Sequence, residues 1–161
     1  MNFNKIDNAL NTCSAYIAEM DLTEITNKEV ETYLVGGLVV LIVSEYEDYL
    51  ESAFVKRAEK CGDECAINFI RTMLSRKFRS PDLRKINDTL KSFDSTLRDV
   101  FHTDIKDSPE MAAWDSLMKA RHAVVHKQGS LNLTFRELKE NYAKTKRVIQ
   151  AVESTLGLEL H

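Results

Sequence analysis

Apolar residues recur at steps of three and four positions along almost the whole chain, and this spacing restricts the fold more than any other feature. The first stripe comprises Ile6, Leu10, Cys13, Ile17 and Met20, and similar stripes follow to the C-terminal region. No segment alternates polar and apolar residues long enough to predict a strand. Because helices with one apolar face bury it against one another, the pattern predicts an all-α bundle.

Start and stop signals divide the chain into predicted helices. The Thr-Asn-Lys-Glu sequence at 26–29 matches a capping box, which predicts a long central helix from about residue 27 toward residue 60. Ser80-Pro81 and Ser108-Pro109 each predict a helix start with serine as the cap and proline in the first helical position. A second capping box, at 134–137, predicts the last helix, which runs to Gly157.

Glycine is scarce, and two of the five glycines lie inside the predicted central helix. Gly36 and Gly37 each lower helix stability by ~1 kcal/mol relative to alanine. We therefore expect them to allow a neighbouring helix to approach closely. Gly62-Asp63 is predicted to end this helix, and Gln128-Gly129 to end a later one.

Length and composition predict one globular domain over residues 1–161, since 43% of the residues are apolar and 29% are charged. The longest apolar stretch, 33–43, is far shorter than the ~20 residues of a membrane span, so we expect no membrane association. The start carries no secretory signal and the three cysteines are sparse, which predicts a cytoplasmic protein.

The net charge of −3 gives no overall attraction to nucleic acid, but one segment is strongly basic. Residues 71–85 contain six bases against one acid, a local excess of +5 (6 − 1). Such a segment could contact a phosphate backbone. A solvated helix end and loop would produce the same composition.

The sequence Arg-His-Ala-Val-Val-His at 121–126 is the strongest functional signal. Arginine holds phosphate in a two-pronged grip, and histidine can both take and give a proton near neutral pH. On an ideal helix Arg121 and His126 point about 140° apart, whereas His122 and His126 share a face. A site that uses Arg121 and His126 therefore needs a distorted helix end or a second copy of the helix opposite.

Two simpler interpretations of the hexapeptide stay open. The histidines could interact with the dipole at the helix C-terminus, and Arg121 could form a surface ion pair with Asp115 or Glu110. Alternatively, His122 and His126 have the four-residue spacing of a zinc-binding pair. Position 123 is alanine instead of the glutamate of a zinc protease helix, and no third ligand is evident, so we expect neither a metal nor a cofactor.

Taken with its neighbours, the chain resembles the HEPN superfamily, and in particular its RiboL-PSP-HEPN-like branch. The residues that carry the resemblance are a long apolar helix with the segment Leu38–Leu50, a middle region at 83–101, and a late helix, Trp114–His126, with an Arg-x4–6-His signature. The resemblance implies an up-and-down helical bundle with one or two short extra helices. It also implies homodimerisation through the helix that carries the signature.

The resemblance further implies a metal-independent endoribonuclease, of the kind used in toxin–antitoxin or phage-defence systems, that acts on RNA and is controlled by an antitoxin or other regulatory protein. Arg121 and His126 match the signature pair, and His122 follows the arginine where the family often has an amide or an acid. Glu47 matches an acidic residue of the earlier helix that orients the arginine or the histidine.

Further interpretations concern two lysines, Glu47 and an alternative function. Lys119 and Lys127 flank the signature and could bind RNA phosphates, although ordinary surface lysines would look the same. Glu47 could equally belong to a solvated face. The alternative function is a non-catalytic HEPN-like module that binds a partner protein, nucleic acid or nucleotide.

Overall fold

Seven α-helices make up the regular structure of the computed structural model, which describes residues 3–126 and 131–158. They are α1 (Asn4–Ala18), α2 (Ile25–Glu59), α3 (Glu64–Lys77), α4 (Leu83–Phe93), α5 (Ser95–Ile105), α6 (Pro109–His126) and α7 (Phe135–Thr155). These ranges contain no strand. The predicted all-α bundle is therefore confirmed.

Three long helices form the centre of the bundle. Helices α2, α6 and α7 pack against one another, α1 and α3 pack on α2, and the short pair α4 and α5 contacts α6 and α7. One cluster of buried apolar side chains takes members from all seven helices. No helix within the described ranges is both long and apolar enough to cross a membrane.

The packing between α2, α6 and α7 is centred on Trp114, whose side chain is fully buried. Its ring stacks on that of Tyr46, with 5.2 Å between centroids and 7° between planes. The indole N–H donates to the carbonyl of Pro81 at 2.8 Å, and the Tyr46 hydroxyl shares a 2.8 Å hydrogen bond with Thr145. Burial raises the pKa of Tyr46 above its ordinary value, so the hydroxyl stays neutral and bonded in the core.

The long central helix is confirmed, but two of the predicted helix caps are wrong. Helix α2 begins at Ile25, before the supposed cap Thr26, and has no side-chain cap. The preceding turn is instead held by Asp21, whose carboxylate accepts from the backbone N–H of Thr23 at 2.9 Å. Asn27 donates to the carbonyl of Asp21 at 2.8 Å, so the chain enters the helix ahead of the sequence signal.

The second wrong cap is Ser80, because Ser80 and Pro81 both lie just before α4. Asp82 caps this helix instead, because its carboxylate accepts from the backbone N–H of Lys85 at 2.7 Å. Ser80 has a φ of 47°, a left-handed conformation that is uncommon for a non-glycine residue. Contacts from α2 and α6 hold the turn in this conformation.

Three other boundary signals are confirmed. Gly62 has a φ of 71° between α2 and α3, and Pro109 is the first residue of α6. Thr134 and Glu137 form both hydrogen bonds of the capping box at the start of α7. The predicted terminator Gln128-Gly129 lies outside the described residues.

Only one of the two central glycines faces another helix. A Cβ atom added to Gly36 would lie 3.6 Å from Cγ2 of Val124 on α6 and 3.9 Å from Cδ2 of Leu131. Gly37 is exposed, and an added Cβ would meet nothing within 4 Å. The expected close approach therefore holds for Gly36, which brings α2 beside the signature end of α6.

Candidate functional site

Helix α6 presents the signature residues on two different faces. It stays α-helical through His126, so no distortion brings Arg121 and His126 onto one face. Arg121 is mostly buried, with 23% of its side chain exposed, whereas His122 and His126 are both exposed. The two histidine rings lie 4.3 Å apart between centroids. The histidines form a surface pair, and the arginine lies against the bundle.

Arg121 pairs with Glu47 of α2. One guanidinium nitrogen lies 3.9 Å from Oε1 of Glu47, and the glutamate side chain is only 19% exposed. Glu47 is thus turned toward α6 instead of belonging to a solvated face. The predicted ion pairs with Asp115 or Glu110 do not form, because Arg121 points toward α2. Since both charges are largely withdrawn from water, this pair restricts the guanidinium more than an exposed pair would.

The same carboxylate oxygen also holds the turn before α4. Glu47 Oε1 accepts a 2.6 Å hydrogen bond from the backbone N–H of Ser80. Trp114 binds the next carbonyl, that of Pro81, and Lys85 donates to the carbonyl of Ser80 at 3.2 Å. These contacts explain why Ser80 keeps its left-handed conformation. Arg121 is therefore positioned by a network that joins α2, α6 and the turn at 79–82.

Sequence reasoning did not identify Ser80 as part of this network. Its contribution is a backbone N–H, which every residue except proline possesses, so the side-chain pattern carries no signal for it. The Ser80-Pro81 pair was visible in the sequence but suggested a helix start. Only the packing of α2 against α6 places this amide beside Glu47.

Of the two predicted phosphate-binding lysines, the structure describes only one. Lys119 is exposed on α6, between two open grooves that flank the helix. Lys127 lies outside the described residues. Two side chains of the basic segment 71–85 already bind groups of the protein. Arg71 lies 3.8 Å from Glu59, and Lys85 donates to the carbonyls of Arg79 and Ser80.

Metal-ligating side chains do not converge within residues 3–126 and 131–158, where no group of three or more His, Cys, Asp or Glu side chains could hold an ion. The pair His122 and His126 has no third ligand there. Cys61 and Cys65 are exposed free thiols, and Cys13 is half-buried.

An all-helical bundle that carries an Arg-x4-His helix beside an acidic residue of its long central helix defines a recognisable class of protein. The sequence model of the RiboL-PSP-HEPN family matches residues 2–157. The chain therefore belongs to the RiboL-PSP-HEPN family, as its resemblance predicted. No curated protein and no solved structure matched the chain.

Proposed function

We propose that this protein is a metal-independent endoribonuclease. The observation that carries the proposal is the end of α6, where Arg121 is held by Glu47 and the histidines 122 and 126 form an exposed pair. A guanidinium can bind a phosphodiester, and exposed imidazoles can take a proton from the attacking hydroxyl and give one to the leaving oxygen. Membership in the RiboL-PSP-HEPN family supports the same activity.

The chemistry needs only these groups and the RNA. His126 removes the proton from the ribose 2′-hydroxyl, and the 2′-oxygen attacks the phosphorus. The bond from phosphorus to the 5′-oxygen breaks, and a second histidine gives that oxygen a proton. Arg121 stabilises the negative charge that develops on the phosphoryl oxygens. The products carry a 2′,3′-cyclic phosphate and a 5′-hydroxyl.

The active form in this proposal is a homodimer. Arg121 and His126 lie on different faces of a regular helix, so one α6 does not present both to a single phosphate. A two-fold axis near the end of α6 would bring two arginines and up to four histidines into one cleft. Lys119, which is exposed on α6, would flank that cleft and bind a neighbouring phosphate, and Lys127, next to His126 in the sequence, could bind another. A toxin–antitoxin or phage-defence setting, with a regulatory protein that blocks the cleft, fits such an enzyme.

The test is RNA cleavage by the purified protein in excess EDTA, with the product ends mapped. We expect cutting to continue in EDTA and to leave cyclic phosphate and 5′-hydroxyl ends. The matched control is the same RNA with one 2′-deoxy nucleotide at the cleavage position, which should resist cutting because it lacks the attacking oxygen. Loss of cutting in EDTA, or 5′-phosphate ends, would contradict the proposed mechanism. RNA binding without any cutting would favour the non-catalytic module.

Glu47→Gln is expected to lower kcat about 10-fold while KM changes little. The amide oxygen can still accept from Ser80, but the charge opposite Arg121 is lost, so the guanidinium is less well positioned for the transition state. Glu45→Gln is the matched control, since Glu45 pairs with Lys5 on α1 and not with α6. Equal kinetics for Glu47→Gln and the wild type would remove Glu47 from the site.

A further inference from the structure

A groove beside α6 contains side chains suited to a nucleobase. It has a volume of ≈ 560 Å³ and lies between α6 and the start of α4. Ser80 and Lys85 line one wall, and Asp115, Lys119 and His122 line the other. Ser80 connects this groove to the Glu47–Arg121 pair, so the groove adjoins the proposed catalytic residues.

The charged groups of the two walls differ in whether they already form hydrogen bonds within the protein. On the α4 side, Lys85 is bound to backbone carbonyls and Asp82 caps its helix. On the α6 side, Asp115, Lys119 and His122 are exposed and form neither a hydrogen bond nor an ion pair with any other described residue. Within the described residues, the polar atoms of these three side chains can therefore bind a ligand without breaking a hydrogen bond or an ion pair.

Asp115 distinguishes base binding from phosphate binding at this position. A carboxylate accepts hydrogen bonds and repels a phosphate, so an RNA strand in the groove would turn the edge of a base toward Asp115. Lys119, one helical turn further along α6, has the opposite charge and suits the adjoining phosphate. Met118 and Ala123 provide apolar surface for the face of the base.

The chemistry of a carboxylate favours one base over the others. Guanine presents two neighbouring donors on its Watson–Crick edge, which match the two oxygens of a carboxylate. Adenine and cytosine offer one amino group each, and uracil places carbonyl oxygens on both sides of its single N–H. Bidentate recognition of this kind discriminates against the wrong base.

We propose that the α4–α6 groove binds a guanine base of single-stranded RNA, with Asp115 as the specificity-determining residue and Lys119 on the adjoining phosphate. The proposal rests on the proposed function, from which it takes RNA as the ligand. Asp115 precedes His122 by seven residues, or about 10 Å along the helix axis, so the bound guanine would lie close to the bond that is cut.

The test measures binding separately from cleavage. Protein carrying His126→Ala is titrated in EDTA, by fluorescence anisotropy, against labelled heptauridine RNA and against the same RNA with one central G, A or C. A single substitution in a uridine background can occupy the base site in only one register. We expect the G-containing RNA to bind about 10-fold more tightly than heptauridine, as for one bidentate contact.

Asp115→Asn in the same background should reduce this preference to within about 2-fold, because the amide replaces one acceptor with a donor. Asp99→Asn on α5, outside the groove, is the matched control and should keep the preference. No preference for G, or a preference that survives Asp115→Asn, would overturn the inference even if the wild type cuts RNA. If the preference for G depends on Asp115 but the wild-type protein cuts no RNA, the guanine site would be supported and the nuclease activity rejected.

Discussion

His126→Ala is expected to reduce RNA cleavage in EDTA by about 1000-fold, within the range that positioned acid–base groups contribute. The side chain is exposed at the end of α6, so its removal creates no cavity and leaves no buried group unpaired. The loss should therefore appear in kcat at unchanged thermal stability. The measurement is single-turnover cleavage of a defined RNA, together with a melting curve for each variant.

Two further histidine variants test whether the loss of cleavage is specific to the histidines of the Arg-x4-His signature. His122→Ala removes the neighbouring ring of the pair. In the proposed mechanism this variant should lower the rate less, because water can protonate the leaving 5′-oxygen in place of the second histidine. His102→Ala, an exposed histidine on α5, should leave the rate unchanged. Wild-type rates for His126→Ala would exclude it as a catalytic residue, and a loss in His102→Ala would point to a non-specific effect on RNA binding.

Trp114→Ala is expected to lower the free energy of unfolding by about 3–5 kcal/mol, the usual cost of deleting a buried tryptophan. The variant loses the stack on Tyr46 and leaves the carbonyl of Pro81 without its donor. Chemical denaturation followed by circular dichroism measures the change. Because Pro81 follows Ser80, the turn that holds Glu47 should also loosen, and cleavage should fall even under conditions where the variant is folded.

The matched control for this core substitution is Tyr33→Ala, which removes a large aromatic side chain that is 79% exposed on α2. Its effect on stability should be within about 0.5 kcal/mol. A loss below 1 kcal/mol for Trp114→Ala would show that the stack and the indole hydrogen bond contribute little to the bundle. Destabilisation by both variants to the same extent would mean that burial does not govern these positions.

Local sequence signals predicted a helix boundary correctly where a side chain forms hydrogen bonds with backbone groups close to it in the sequence. The capping box of Thr134 and Glu137 is such a case, because both hydrogen bonds lie within four residues. The capping signals at Thr26 and Ser80 failed because contacts of other residues set the backbone there, and Asp82 caps α4 in place of Ser80. Asp21 organises the turn before α2, and Glu47 takes the N–H of Ser80.

The candidate site also contains features that the sequence predicted and features that only the structure revealed. Arg121, His122 and His126 could be selected from the sequence, since their chemistry and helical spacing are visible there. The resemblance added Glu47, but only the structure brings its carboxylate to 3.9 Å from the guanidinium. The groove between α4 and α6 left no sequence signal, because its two walls come from residues at least 30 positions apart.

The sequence by itself determined that the chain is helical and which chemical groups α6 carries. Helical periodicity and side-chain chemistry are properties of short segments, so they can be derived without knowing the fold. The tertiary structure alone decided that Arg121 is drawn inward to Glu47 while the two histidines stay exposed, and that Ser80 is held in a left-handed turn. Those outcomes depend on how α2 packs against α6, which brings together residues far apart in the chain and lets one carboxylate serve two partners.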